Sequence, residues 1–452
     1  MLNRNKNVLS LFDDHTRLLT LALPMIFANI TTPLLGLVDT AVLGHMSTSA
    51  MLAGASVGAL ILTQIYWVCG FLRMSSTGLS AQAKGTVDTV YDSAKVLWQT
   101  MSIALIIGLV IFSLQGPILS LGIYFSDPSS EVNAHLKSYF LVRVWGAPAA
   151  LLNLSLIGWL VGQQKTRTVM MIQITGNLMN AMLDIAFVFG MGFSVSGVAL
   201  ASVLAEYSMM LMGLYVALKH IRGQMPQPVW FNRAARKVLM KLNGDMLLRN
   251  LALQGCLAFL TFQGARYGET SAAINAILMQ FFVLIALGLD GIAYGVEALV
   301  GEAKGADNEK GIKARTYQGL WWSSVFALGY SAVFFLFGKD IISLLTEHQH
   351  IVNAAQTYLP LMVLLPLLAH WCFLFDGVFV GLMRASAMRN TMLFSAIMVF
   401  FPVWYATEHQ ENVSLWYALL AFLLARGVSL GVSFFRLGKR HELCCDKERQ
   451  NT

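Results

Sequence analysis

The sequence predicts an all-α integral membrane protein, with twelve transmembrane helices in two six-helix bundles related by a parallel internal repeat. Three observations predict it. Of the 452 residues only 12% are charged while 56% are hydrophobic, against about 25% charged in an ordinary soluble chain. So little polar surface cannot cover a water-soluble globule. The apolar residues are gathered into runs long enough to cross a bilayer, and short motifs recur half a chain apart.

The first run, 18–42, carries a single charge, Asp39. As a helix rising about 1.5 Å per residue it exceeds a hydrocarbon core of ~30 Å. The polar stretch before it, with Arg4, Lys6, Asp13 and Asp14, and the lack of a cleavage site do not fit a signal peptide. The first helix is therefore expected to stay in the mature protein. Apolar runs between charged or turn-rich breaks then give spans at 17–44, 50–80, 93–123, 133–162, 168–190, 195–220, 236–265, 271–301, 314–338, 354–382, 390–407 and 413–435. Several exceed the minimum length, which predicts tilt or protrusion.

The longest polar interruption, from Arg222 to Lys237 with Pro226 and Pro228, falls at the middle of the chain. It divides an N-terminal lobe (1–221), a cytoplasmic linker (222–235), a C-terminal lobe (236–436) and a cytoplasmic tail (437–452). With the N-terminus in the cytoplasm, only Lys137, Arg266 and Lys339 of the 31 basic residues fall in outer loops, and only Arg73, Arg143, Arg249 and Arg426 lie inside or at the ends of spans. The rest are cytoplasmic. This is the positive-inside pattern of an even number of spans with both termini inside. The net charge of +7 is thereby explained by insertion, and no nucleic-acid partner is implied.

The halves repeat. Ala81-Gln82-Ala83-Lys84-Gly85 matches Gly301-Glu302-Ala303-Lys304-Gly305, Gly158 and Gly162 match Gly377 and Gly381, and Pro148 and Pro366 lie mid-span in the same two helices. The agreement of the offsets indicates duplication. Six spans per half is an even number, so both halves face the same way and are related by an axis along the membrane normal.

Several segments resemble one family, the multidrug and toxic compound extrusion (MATE) transporters, in their bacterial DinF-like branch. They are LALPMIFANITTPLLGLVDTAVLGHM (21–46), LRMSSTGLSAQAKG (72–85), GNLMNAMLD (176–184), LDGIAYGVEALVGEAKG (289–305) and DGVFVGLMRASAMRN (376–390). The resemblance implies two six-helix bundles in a V, drug export, and coupling to an inward flow of H⁺ or Na⁺. It also implies a multi-pass protein of the bacterial inner membrane. Composition and spacing alone lead to a transporter, not to its cargo.

A charged side chain in the bilayer core costs at least about 2.5–3.5 kcal/mol, so each intramembrane acid needs a partner, a proton or a function. Asp39 and Asp184 each lie about two turns from the outer end of an outward-running helix, hence at similar depth in one lobe. Asn177, Asn180 and Asp184 are spaced by three and four and share one helical face. Two carboxylates facing a poorly solvated cavity favour holding a proton. The resemblance agrees, since the positions of Asp39, Asn180 and Asp184 match the family's N-lobe proton network. Pro24 and Pro33 each remove a hydrogen bond from the helix bearing Asp39 and favour bending.

Glu206 lies mid-span. It is either part of the same machinery or the partner of a basic residue such as Arg143. Asp290 and Glu297 are seven apart on one face, and with Arg249 and Arg426 they suggest a structural ion-pair network. Asp376 matches a carboxylate that the resemblance links to cation binding in the Na⁺-coupled branch. However, span seven offers Gln254 where that branch implies an acid, which points to H⁺. The methionines near the stripe of span five (Met170, Met171, Met179, Met182) suit contact with varied ligands. Neither a Walker motif, a catalytic triad nor zinc spacing is found, so no cofactor and no enzymatic activity are expected. The expected function is an H⁺-coupled antiporter of amphipathic or cationic organic compounds. The alternatives are Na⁺ coupling and a lipid or lipid-linked sugar flippase of the same superfamily. The expected partners are small organic substrates, the counter-ion and membrane lipids.

Overall fold

The computed structural model describes residues 2–46 and 48–444, with the backbone alone for 2–14 and 32. The end of the predicted cytoplasmic tail, 445–452, lies outside them. The described residues are helical rods joined by short turns. In chain order these are α1 (Leu2–Gly44), α2 (Ser49–Val68), α3 (Phe71–Gly85), α4 (Thr89–Ser113), α5 (Gln115–Ser126), α6 (Ser130–Arg143), α7 (Ala147–Gly162), α8 (Thr166–Ile185), α9 (Val195–His220), α10 (Arg233–Arg266), α11 (Glu269–Gly305), α12 (Glu309–Leu345), α13 (Gln349–Gln356), α14 (Leu359–Gly381), α15 (Ala385–Ser395), α16 (Phe401–Ala406) and α17 (Asn412–Lys439).

Taken with their collinear partners, eleven of these among the described residues are long and apolar enough to cross a membrane. The predicted seventh span, α10, is long enough but less apolar, because Arg233, Arg236, Lys237, Lys241, Asp245 and Arg249 crowd its N-terminal half. The exposure pattern is that of a membrane protein. Phe27, Leu37, Phe125 and Phe335 are exposed, whereas Asp184, Asn180, Ser80 and Glu297 are buried. Lipid is as apolar as leucine, so the polar side chains are the ones that must turn inward.

Two compact units are present, Phe27–Arg236 and Met1–Ile26 with Lys237–Thr452. This division differs from the expected lobes at two points. The chain up to Ile26 goes with the C-terminal unit, because α1 lies close against two glycines of α11. A Cβ at Gly291 would stand 3.0 Å from the Ile26 nitrogen, and one at Gly295 would stand 3.3 Å from the Leu18 oxygen. The expected linker, in turn, is part of the N-terminal unit. Trp230 is 1% exposed, its indole Nε1 donates to the Tyr91 hydroxyl at 2.8 Å, and Gln99 Nε2 donates to its carbonyl at 2.5 Å. Trp98 Nε1 holds the Gln224 carbonyl at 2.9 Å.

Within the N-terminal unit α3 packs on α4 and α7, α2 on α6, and α9 on α6, α7 and α8. In the C-terminal unit α11 packs on α12 and α14, and α17 on α14 and α15. The repeat is visible atom by atom. A Cβ at Gly162 would stand 2.6 Å from the Thr77 oxygen, and one at Gly381 would stand 2.8 Å from the Glu297 oxygen. Gly158 meets the Arg73 carbonyl in the same way that Gly377 meets that of Ala293. Small residues one turn apart let two backbones touch, and the duplicated pairs place this crossing in both units. Each unit also has a π-helical turn in the equivalent rod, Ala186–Gly190 and Ala396–Phe400. The prolines are less symmetric. Pro148 follows a 3₁₀ turn, Val144–Gly146, that separates α6 from α7, while Pro366 sits inside continuous α14.

Candidate functional site

The polar stripe predicted on α8 faces a cavity of about 260 Å³ inside the N-terminal unit. Asp39 reaches it from α1, Asn177 and Asn180 from α8, Glu206 from α9, and Tyr139 and Arg143 from α6. Asp184 lies one turn beyond Asn180, fully buried, and its Oδ2 accepts from Asn180 Nδ2 at 2.9 Å. Asn177 Nδ2 donates to Thr31 Oγ1 at 3.0 Å, and that hydroxyl donates to the Ala28 carbonyl at 2.7 Å. The α8 stripe is thus tied to α1 two turns before Asp39. The π turn begins two residues after Asp184. Such turns disrupt the regular ladder and are frequent at functional sites.

Asp39 and Asp184, predicted to share a depth, lie within electrostatic reach of one another. An oxygen of each, Oδ1, is buried with no N–H or O–H donor from the described residues. Two carboxylates facing one another away from water repel unless one of them carries a proton. Donors among the described residues therefore leave one oxygen of each acid unmatched, and a proton is the natural complement there.

Glu206, left open between two roles by the sequence, meets Arg143 in a bidentate pair. Arg143 Nη1 donates to Glu206 Oε2 at 2.8 Å, and Nη2 to Oε1 at 2.5 Å. The guanidinium also lies over the Tyr66 ring, 5.8 Å from its centroid. Asn153 Nδ2 donates to the Glu206 carbonyl at 2.8 Å. The α1 prolines fall inside one continuous helix, since α1 runs unbroken through Pro24 and Pro33. The two lie on either side of the point, after Ile26, where α1 passes from one compact unit to the other.

In the C-terminal unit Asp376 Oδ2 accepts from both Arg249 Nη2, at 2.6 Å, and Arg426 Nη2. Arg249 Nη1 donates to Asn250 Oδ1 at 2.9 Å, and Arg426 stacks 5.3 Å from the Phe422 centroid. Asp290 is within electrostatic reach of Arg426. Glu297 is buried and, like Asp290, is engaged by neighbours. Arg249 and Arg426 thus converge on Asp376, and the carboxylate there already faces two cations.

Sequence reasoning missed Tyr139 and Met209 in the cavity wall. Met171 and Met182 of span five point outward and are exposed. Met209 instead fills the space in front of Gly176, whose Cβ would collide with its side chain. A glycine in the middle of a polar stripe is the only signal that a large residue lies opposite.

Comparison with known proteins bears on the same regions. The MatE family model matches the chain twice, at 24–186 and 246–406, once in each half. The DNA damage-inducible protein F of Escherichia coli is 40% identical over 92% of this chain and 91% of its own length. The probable multidrug resistance protein NorM of Thermotoga maritima is 25% identical over 93% of this chain and 92% of its own. The solved outward-facing conformation of a multidrug resistance MATE family transporter of the MOP superfamily superposes with a TM-score of 0.80 at 19% identity. It covers 96% of this chain and 97% of that one.

Proposed function

The chain belongs to the MatE family of efflux transporters, and from that premise we propose that it is an H⁺-coupled antiporter exporting amphipathic, often cationic, organic compounds by alternating access. The observation that carries this reading is the Asp39–Asp184 pair, two acids within electrostatic reach of one another, each with a buried oxygen that no donor among the described residues reaches. With both acids protonated the pair is neutral and suits an apolar wall. Loss of a proton leaves negative charge in a poorly solvated cavity, which attracts a cationic substrate entering from the cytoplasm. A proton arriving from outside then neutralises the pair and releases the substrate outward. Asn180, bonded to Asp184, and Asn177, bonded to Thr31, transmit the change to α8 and α1, where Pro24 and Pro33 allow the helix to bend.

H⁺ is favoured over Na⁺ because Asp376 already accepts from Arg249 and Arg426, and a carboxylate between two guanidinium groups is a poor ligand for a third cation. A flippase for anionic lipid-linked sugars is disfavoured because the N-lobe cavity carries carboxylates with one compensating arginine. The charge pattern of the loops supports an inner-membrane location with both termini in the cytoplasm.

The deciding measurement uses purified protein in liposomes, with ΔpH and ΔNa⁺ imposed separately while flux of a lipophilic cation is followed. Flux driven by ΔpH without Na⁺ is expected. An absolute requirement for Na⁺, with no response to ΔpH, would return the coupling role to the C-terminal lobe.

A further inference from the structure

The cavity contains more charge than proton coupling requires. Beside Asp39, with Asp184 one turn beyond the cavity wall, it holds Glu206 and Arg143, locked together by two hydrogen bonds, with side chains only 13% and 14% exposed. A buried ion pair of this kind is weak ground for stability, because desolvation offsets most of its attraction. Its geometry is nonetheless closely defined. The Tyr66 ring lies beneath the guanidinium, Asn153 holds the backbone of Glu206, and Gly146 leaves the space in which the two side chains meet, since a Cβ there would collide with Glu206 Oε2 and stand 2.7 Å from Arg143 Nη1. Arg143 is also within electrostatic reach of Asp39. The other ionisable groups around the pair are Tyr66, Tyr139 and Cys69, all neutral when protonated.

We infer that the Arg143–Glu206 pair determines substrate charge: it sets the cavity's formal charge so that the site takes one singly charged organic cation in exchange for one proton. The charge count follows from the groups present. Glu206 and Arg143 cancel. Asp39 and Asp184 sharing one proton leave one negative charge, and a second proton removes it. A monocation thus matches the loaded site, and a neutral site remains after exchange. Without Glu206 the Arg143 cation is uncompensated and opposes a cationic substrate inside a cavity of about 260 Å³. Without Arg143 the Glu206 carboxylate adds a negative charge and shifts the match toward a dication. The inference rests on the proposed export of cations and names the charge class of that cargo.

The test measures binding to purified protein in detergent for three probes of similar apolar bulk: tetraphenylphosphonium as the monocation, a bis-quaternary ammonium as the dication, and a neutral triaryl analogue. Glu206→Gln is expected to weaken tetraphenylphosphonium by about tenfold or more, since like-charge juxtaposition costs several kcal/mol, with the neutral probe changed by less than about twofold. Arg143→Gln is expected to raise the ratio of dication to monocation affinity by about tenfold on the same grounds. Removing both charges, in R143Q/E206Q, is expected to restore monocation binding. Equal losses for charged and neutral probes in Glu206→Gln would mean that the pair is only structural and would overturn the inference. So would unchanged monocation binding in that variant, or an unchanged ratio in a folded Arg143→Gln. If Glu206→Gln fails to fold, the Arg143→Gln ratio decides alone. Wild-type protein that neither binds tetraphenylphosphonium nor moves it under ΔpH would instead refute the exporter reading itself.

Discussion

Asp39, on α1, and Asp184, on α8, lie within electrostatic reach of one another, and each keeps a buried Oδ1 that no donor among the described residues reaches. Asp39→Asn replaces a protonated carboxyl by an amide of near-identical volume, so expression and membrane insertion should survive while H⁺-driven efflux is lost. Asp184→Asn should weaken transport through the same pair, and the double variant should be little worse than Asp39→Asn, because coupled sites are not additive. Efflux at the wild-type rate under ΔpH in the Asp39 variant would remove this residue from the coupling step.

The duplicated helix crossings predict a second set of effects. A methyl group at Gly162 meets backbone, the Thr77 oxygen at 2.6 Å, which cannot swing aside. Gly162→Ala and Gly381→Ala should each cost about 1–3 kcal/mol by overpacking, read as a lower midpoint of thermal unfolding in detergent. Gly213→Ala is the control. Its added carbon would lie 3.5 Å from Leu156, an ordinary contact, and the midpoint should barely change.

Asp376 joins α14 to α10 and α17 through Arg249 and Arg426. Asp376→Asn leaves two buried guanidinium groups with their shared acceptor weakened. Removing one partner of a buried ionic group typically costs about 3–5 kcal/mol. The expected outcome is a marked fall in unfolding midpoint, with ΔpH-driven flux per folded molecule preserved. Loss of flux in fully folded protein would give Asp376 a direct part in coupling.

Trp230 should behave as a core residue although it lies in the stretch that reads as a linker. Trp230→Ala empties a buried site and breaks the bond to Tyr91, at a cost of roughly 3–5 kcal/mol. Limited proteolysis between Gly223 and Asn232 should become much faster. A cleavage pattern identical to wild type would mean that the segment is held by other contacts.

Topology is open to direct labelling. In a cysteine-free background, Glu131→Cys and His348→Cys, both exposed, should react with an impermeant maleimide added to intact cells. Reaction only after permeabilisation would invert the orientation.

The sequence by itself determined that the chain crosses a membrane many times, that its halves are duplicated, and which polar side chains must turn inward. The reason is energetic. An apolar run must be as long as the bilayer is thick, an intramembrane acid is too costly to be incidental, and the three-four spacing of Asn177, Asn180 and Asp184 fixes them to one face. These signals are local and survive without knowledge of neighbours. Only the tertiary structure decided who meets whom. That Asp39 finds Asp184, that Glu206 is neutralised by Arg143 and Asp376 by two arginines, and that Met209 rather than a methionine of α8 lines the cavity are pairings between helices far apart in the chain. The same holds for α1, whose one apolar run divides between two compact units after Ile26. Nothing in its composition changes there; what changes is the pair of glycines on α11, Gly291 and Gly295, that lets its first half pack against backbone.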